Sequence, residues 1–584
     1  MFGDIRLWTA QFDPTPGDID GNTARMVEWI GKAVLGGAGL VVFPEESVSG
    51  YCIGDQNRNP LLISESLKAV KQRLAPASAN CAVVVGFNGP VEGQNLCDGG
   101  MGAANQFAVL QDGKVVGSGA KTLMANEGVL DDDRYFIPGN PDEVRPVPLH
   151  TEQGTVQLGV LVCQDMWDDY YGLKPAHLLM QRGANGIVVL NASPFHVGKL
   201  ATRRSLAAHR CRETGLPMAY VNTVGVQDNG KNVILLDGAS FVTDATGQVT
   251  AQYPLFEEGL YRYEESAGPV LVNPHRIAEL CQALVFGIKG FFARSRQSGA
   301  VIGLSGGIDS ALSAVLLVQA LGNQNVLGIN MPSQFSSNTT RDNAAQLARR
   351  LGIEYLVHPI EDVVQHKIRD LEEVTGAVSS TLTRENIQAR ERGNILMSHA
   401  QERGRFVIGN GNKTEFQRGY ATLYGDIIGA IMPLGDVAKT DVYRLARYAN
   451  QQWGDPIPQP IITIPPSAEL CAEQNVDQGK GDPFDYDVEG PLGQELVELE
   501  RTPAQLRALF ESRSLDPALW APVRSQAAVY DKMNGAQFEQ LAWEVFRAIE
   551  ATVFKRIQAP PILKVSRRAF GFDFRESTFA RLNF

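Results

Sequence analysis

Val301–Leu312 reads VIGLSGGIDSAL. A short apolar run ending at Gly303 predicts a strand, Gly306 and Gly307 break it, and Asp309 and Ser310 open a helix-patterned stretch. Two glycines without Cβ let the chain turn with positive φ and bring backbone N–H groups against a phosphate. A helix starting near Asp309 adds its positive end to that cradle. Asp309 is itself negative, so it sits beside a phosphate only with a cation between them, and its natural role is a Mg²⁺ ligand. No G-x-x-x-x-G-K-[ST] pattern occurs here, which excludes a Walker A loop.

On either side the pattern continues. HRIAELCQALVFGIKGFFARS (275–295) predicts a helix, NVLGINMP (325–332) a strand, NTTRDNAAQLARRLG (338–352) a helix closed by Gly352, and EYLVHPI (354–360) another strand. This alternation implies a parallel sheet with a phosphate site at a strand's carboxyl end. Residues 472–490, AEQNVDQGKGDPFDYDVEG, are acidic with Gly and Pro and are expected to form a mobile surface loop.

The first half has its own β-rich rhythm, in AGLVVFPE (38–45), CAVVVGF (81–87), NQFAVLQ (105–111), VQLGVLVCQD (156–165), NGIVVLNAS (185–193) and MAYVNTVG (218–225). NTARMVEWIGKAVLGG (22–37) is a helix among them. The pattern weakens through YPLFEEGLYRYEESAGPVLVNP, and the boundary is placed near residue 270, giving domains 1–270 and 271–584.

At 584 residues the chain is too long for one hydrophobic core. A net charge of −12 and the lack of a basic run disfavour nucleic acid as a partner. No stretch of about 18 apolar residues predicts a membrane span. MFGDIRLWTAQFD lacks the features of a signal peptide and reads as a first strand. Seven scattered cysteines without a C-x-x-C pair point to a reducing, cytoplasmic setting.

SGGIDS after a strand resembles the signature of the ATP pyrophosphatases, which split ATP between its α- and β-phosphates and adenylate a substrate. That leaves the acceptor open. Downstream, ENIQARER (385–392), VIGNGNKTEFQRGYATLYGD (407–426), LGDVAKTDVYRLARY, PPSAEL and VFKRIQAPPILKVSRRAFG follow in order and resemble the synthetase domain of NAD⁺ synthetases. The resemblance implies that Gly303, Leu304, Ser305, Gly306, Gly307, Ile308, Asp309 and Ser310 cradle ATP, the co-substrate, with Asn410, Lys439 and Ser467. It places deamido-NAD⁺ (nicotinic acid adenine dinucleotide) on Asn386, Arg390, Glu415 and Lys555, and Mg²⁺ on Asp309 and Glu415. Asn410 stands where the family commonly has threonine, and its amide still donates and accepts.

Ammonia is the missing reactant, since most of it is protonated at neutral pH. LGVLVCQDMW puts Cys163 at a strand end, where a nucleophile would be exposed, although a lone Cys in such a run is more often core filler. Phe43-Pro44-Glu45 ends another strand in a carboxylate, and Lys121 precedes a polar loop. With NASPF (191–195), PMAYVN (217–222) and DGASF (237–241), these resemble the Glu-Lys-Cys set of the nitrilase superfamily. The resemblance makes Cys163 the nucleophile on a glutamine amide, Glu45 its base and Lys121 the oxyanion partner. Glu127, Ser193 and Lys199 fall where that family binds glutamine.

Departures are Gln164 after the nucleophile in place of Glu, Glu127 in place of Tyr, and a longer, less acidic 225–240 segment. The combination implies a glutamine-dependent NAD⁺ synthetase: an α-β-β-α nitrilase-like sandwich joined to a Rossmann-like, doubly wound parallel sheet. The family is homo-oligomeric and passes ammonia between its two sites. Two alternatives are an ammonia-dependent ligase with an impaired glutaminase, and a stand-alone amidase with a nucleotide-sensing second half.

Overall fold

Alternation along the first-half strands sorts their side chains into separate layers. Val42 and Val84 point one way into a core shared with Val160, Val162, Val188 and Leu190, and all six are buried. Val41, Phe43, Val83 and Val85 point the other way, onto Met26, Ile30 and Ala33 of helix Ile19–Leu35. Leu161, Ile187 and Val189 likewise turn outward onto Leu179 and Leu206, from helices Pro175–Gln181 and Lys199–Thr214. Strands apolar on both faces must be covered on both, and the result is helix, sheet, sheet, helix.

A computed structural model describes residues 1–95, 101–264, 275–525 and 527–579. The chain forms two compact units, Met1–Asn229 with Ile234–Pro274, and Gly230–Val233 with His275–Phe584. The boundary expected near residue 270 lies outside the described residues.

In the first unit one six-stranded sheet runs Gly259–Arg262, Leu7–Gln11, Leu40–Val42, Ala82–Asn95, Met101–Gln111, Lys114–Ala120. The other runs Val249–Gln252, Phe241–Thr243, Met218–Asn222, Gly186–Asn191, Gly154–Val162, Val147–Thr151. The inner strands are parallel, as in the pairings Val41 with Val83 and Val160 with Val188. Their carboxyl ends therefore share one rim.

The second unit is built on a parallel sheet ordered Glu354–Val357, Val326–Asn330, Ala300–Gly303, Phe406–Ile408. One face packs Val301, Leu327, Ile329 and Val407 against Val364, Ile368, Ile395 and Leu396. Helices Arg276–Arg294, Ile308–Leu321 and Lys439–Trp453 pack against one another.

The expected loop over 472–490 is corrected. Residues 472–480 do form short, largely exposed turns, but Tyr486 begins a helix to Val497 in which every residue is buried. The acidic side chains serve as acceptors for backbone and hydroxyl donors. Asp485 caps the helix, the Asp487 carboxylate accepts N–H groups from Val523, Arg524 and Ser525 at 2.8–3.1 Å, and Asp482 accepts from the Tyr486 hydroxyl. Composition alone does not separate a solvated acid from a capping one. Among the described residues no helix is long and apolar enough to cross a membrane.

Candidate active sites

In the first unit Glu45, Lys121 and Cys163 each follow the last residues of a strand and meet at the shared rim. Lys121 Nζ donates to Glu45 Oε1 at 2.9 Å, and the Cys163 thiol lies within electrostatic reach of both. Glu45 is fixed by two further donors, Asn105 Nδ2 to Oε1 at 2.7 Å and the Ala192 N–H to Oε2 at 2.6 Å. All three side chains are buried. Burial and the Glu45 charge push the Cys163 thiol well up, with Lys121 working against them. Burial pulls Lys121 down, but Asp132 and Glu45 more than offset it and hold the ammonium charged. Cys163 sits at φ +44°, left-handed backbone that costs a non-glycine residue energy and recurs at functional sites.

Two residues that sequence reasoning missed complete this cluster. Asp132 Oδ2 lies 2.7 Å from Lys121 Nζ while its Oδ1 accepts from the Tyr51 hydroxyl at 2.6 Å. Asp165 Oδ1 accepts from the Thr122 N–H, the Thr122 hydroxyl and the Leu123 N–H at 2.7–2.9 Å, and its Oδ2 accepts from the Val162 N–H at 3.2 Å. It thus ties the chain beside Lys121 to the chain beside Cys163. Its place two residues after the cysteine was the available signal.

The three quoted stretches NASPF, PMAYVN and DGASF knit together. Arg203 is fully buried; its Nη1 donates to both Asp237 carboxylate oxygens at 2.7 and 2.8 Å, and its Nε and Nη2 donate to the hydroxyl and carbonyl of Ser193. Asn222 accepts from the Ser193 N–H and donates to the Gly238 carbonyl.

In the second unit strand Ala300–Gly303 turns into helix Ile308–Leu321 through the predicted loop. Gly306 has φ +85°, and a Cβ there would lie 2.0 Å from the Thr340 carbonyl oxygen, so only glycine fits. The Ser305 hydroxyl accepts from the Gly307 N–H at 3.2 Å, and Asn410 Nδ2 donates to the Gly303 carbonyl at 3.0 Å. Beyond the loop, Lys439 Nζ donates to Asp309 Oδ2 and, at 3.2 Å, to Glu415 Oε1. Asn412 donates to Asp309 Oδ1 and caps helix Lys413–Arg418. Burial pushes the Glu415 carboxyl up to about 8; Lys439 opposes this and the neighbouring Asp309 adds to it. These groups open on a cavity of about 620 Å³.

Comparison with known proteins places both halves of the chain in known families. The carbon-nitrogen hydrolase family matches residues 8–264 and the NAD synthase family residues 280–506. A glutamine-dependent NAD(+) synthetase of Thermotoga maritima is 33% identical, with 98% of each chain covered. One from Synechocystis sp. is 33% identical, with 97% of each chain covered. The chain belongs to the glutamine-dependent NAD(+) synthetase family. The solved structure of such a synthetase from Acinetobacter baumannii, in complex with adenosine diphosphate, is 30% identical with a TM-score of 0.72, over 98% of each chain. The Cytophaga hutchinsonii structure, 18% identical with a TM-score of 0.79 over 99% of this chain and 98% of its own, shares the fold.

Against the family pattern, Gly303, Leu304, Ser305, Gly307, Ile308, Asp309, Ser310, Asn410, Lys439 and Ser467 line the cavity, with Asn386, Glu415 and Lys555. Gly306 shapes the loop from behind. Lys555 donates to the Gly419 and Ala421 carbonyls, and burial draws its ammonium down. Arg390 is the exception. It is exposed, gives its Nε–H to the Leu423 carbonyl, and lies outside the lining. In the first unit Ser193 is buried against Arg203, Lys199 sits 4.2 Å from the Trp167 ring, and Glu127 is exposed on its loop.

Asp309 and Glu415 suit Mg²⁺, because they already converge on one positive group, the Lys439 ammonium. Mg²⁺ needs one or two protein carboxylates and takes its other ligands from phosphate and water. Among the described residues no cluster of three or more His, Cys, Asp or Glu forms a metal site.

Proposed function

We propose that the chain is a glutamine-hydrolysing ligase that amidates deamido-NAD⁺ to NAD⁺, with residues 1–270 freeing ammonia and 271–584 consuming it with ATP. The observation that carries the synthetase half is that the glycine loop, the Asp309–Lys439–Glu415 cluster, Asn386 and Lys555 all face one cavity.

In the glutaminase, Glu45 accepts the thiol proton as Cys163 Sγ attacks the glutamine amide carbon. Because burial holds the thiol protonated, proton transfer accompanies attack. The Lys121 ammonium stabilises the oxyanion, and Glu45 returns the proton to the departing ammonia. Glu45 then takes a proton from the water that attacks the thioester and passes it to the departing Cys163 sulfur, releasing glutamate. Asp132 holds Lys121 from behind.

In the synthetase, the nicotinate carboxylate attacks the α-phosphorus of ATP and pyrophosphate leaves. Ammonia adds to the acyl-adenylate carbonyl, its nitrogen gives up one proton to solvent, and AMP departs. The loop at Ser305–Gly307 presents its N–H groups to phosphate, and Lys439 moves from its two carboxylates onto the triphosphate. Asp309 and Glu415 would hold Mg²⁺, which supplies charge neutralisation for the leaving pyrophosphate.

The test is NAD⁺ formation from deamido-NAD⁺ and Mg-ATP with glutamine or ammonium, in wild type and Cys163→Ala. Wild type is expected to use both, and the variant only ammonium. Product from neither donor overturns the reading. The protein is proposed to be cytoplasmic and homo-oligomeric, the latter checked by light scattering.

A further inference from the structure

A buried guanidinium is costly unless an anion faces it. Three arginines whose side chains are almost wholly buried obey this rule. Arg203 meets Asp237, Arg210 meets Asp168, and Arg556 meets Glu576. Arg392 has no such partner. It is half-buried on helix Thr381–Arg403, its Nε–H goes to the Met331 carbonyl at 3.1 Å, and it lines the cavity of the second unit. Among the described residues no carboxylate forms an ion pair with it. The nearest acidic influences, Glu469 and Glu361, are engaged elsewhere: Glu469 accepts from the Thr340 hydroxyl and Ser337 N–H, Glu361 from the Gln334 N–H and Gln365. Burial draws the guanidinium down to about 10, with those two carboxylates opposing.

We propose that Arg392 is an anion-binding residue of the nucleotide site, its free N–H groups receiving a phosphate of ATP. The inference rests on the synthetase reading above. Its position along the helix selects the ligand. Leu382, Asn386, Ala389, Arg392 and Leu396 form one cavity-facing stripe at helical spacing. Leu396, one turn beyond Arg392, lies against Gly303: a Cβ on that glycine would be 3.4 Å from Leu396 Cδ1 and 3.3 Å from Met331 Cε. Arg392 therefore stands at the strand end that opens the glycine loop. Asn386, assigned by family resemblance to the dinucleotide, is six residues away, about 9 Å along the axis. The same helical phase turns Arg390 outward, so within ENIQARER the arginine that faces the cavity is Arg392.

The experiment is calorimetric binding of ATP to the full-length protein, with no second substrate, in wild type, Arg392→Ala and Arg392→Lys. Loss of a charge-assisted hydrogen bond predicts roughly ten- to a hundredfold weaker ATP binding for Arg392→Ala, and a smaller loss for Arg392→Lys. Millimolar guanidinium is expected to restore part of the affinity of Arg392→Ala, which a merely structural role would not show. If Arg392→Ala fails to fold, the Arg392→Lys titration decides alone. ATP affinity equal to wild type in a folded variant overturns the proposal. So does weakened deamido-NAD⁺ binding with ATP binding unchanged, which would hand the anion to the dinucleotide. Wild type that binds ATP but makes no NAD⁺ sinks the synthetase reading and leaves the role of Arg392 standing.

Discussion

Replacing Asp165 probes how the glutaminase site is held. Its carboxylate takes four hydrogen bonds, three from backbone N–H groups and one from the Thr122 hydroxyl, and the residue is 3% exposed. Asp165→Ala strands three buried backbone donors, while the hydroxyl can turn elsewhere. At about 1–3 kcal/mol for each orphaned donor, less what entering water recovers, the loss is about 3–6 kcal/mol. That is a large part of a domain's total stability of about 5–15 kcal/mol. Asp165→Asn is the milder change. With its carbonyl oxygen on the Thr122 and Leu123 side, only the Val162 N–H faces a donor, and the loss falls to about 1–3 kcal/mol. The assay is urea unfolding with the two units followed as separate transitions, alongside glutamine- and ammonium-dependent rates. Asp165→Asn is expected to lose glutamine-dependent synthesis while keeping the ammonium-dependent rate. If Asp165→Ala unfolds within about 1 kcal/mol of wild type, the four-donor anchor carries no weight and the reasoning fails.

Three other outcomes are expected. Glu415 has its folded pKa raised to about 8 from an ordinary 4.5, so its contribution to stability is full below about pH 4.5 and lost as pH rises towards 8. Thermal melts of ligand-free wild type and Glu415→Gln across that window should diverge by up to about 1.4 kcal/mol per pH unit, with wild type falling faster; parallel curves would refute this. At Cys163 the left-handed backbone reverses the usual ranking of small residues: Cys163→Gly should be at least as stable as Cys163→Ala by chemical denaturation. Gly306→Ala drives a Cβ into the Thr340 carbonyl, so ATP binding should weaken by roughly tenfold or more while glutaminase turnover stays as in wild type.

The parts of both sites written in contiguous residues were legible from the chain alone. SGGIDS carries its own geometry, since the glycines, the helix start and the aspartate act within a few residues of one another. Glu45, Lys121 and Cys163 were visible as polar residues ending strands, because a strand's apolar run marks its own termination. Asp132 and Asp165 were not legible, because their roles are contacts with other strand ends and no local pattern encodes which ends meet. Arg390 and Arg392 show a different limit. Two residues apart on a helix point about 200° apart, and which one faces inward depends on how the helix is docked, which spacing does not reveal. The acidic run near Asp487 was misread for a third reason: a carboxylate that caps backbone donors has the same composition as one in water.

The two-faced burial of the first unit's inner strands governs where change can occur. Val41 and Val42, or Val83 and Val84, have no solvent side on which a polar residue could be tried, since each neighbour in the strand faces a different packed layer. Novelty is therefore confined to the residues just after the last hydrogen-bonded pair, where a side chain leaves the sandwich without opening it. A scaffold of this kind can exchange its chemistry at the cost of a few positions at or just beyond strand ends: Lys121 and Cys163 directly follow their strands, and Glu45 lies three residues past Val42.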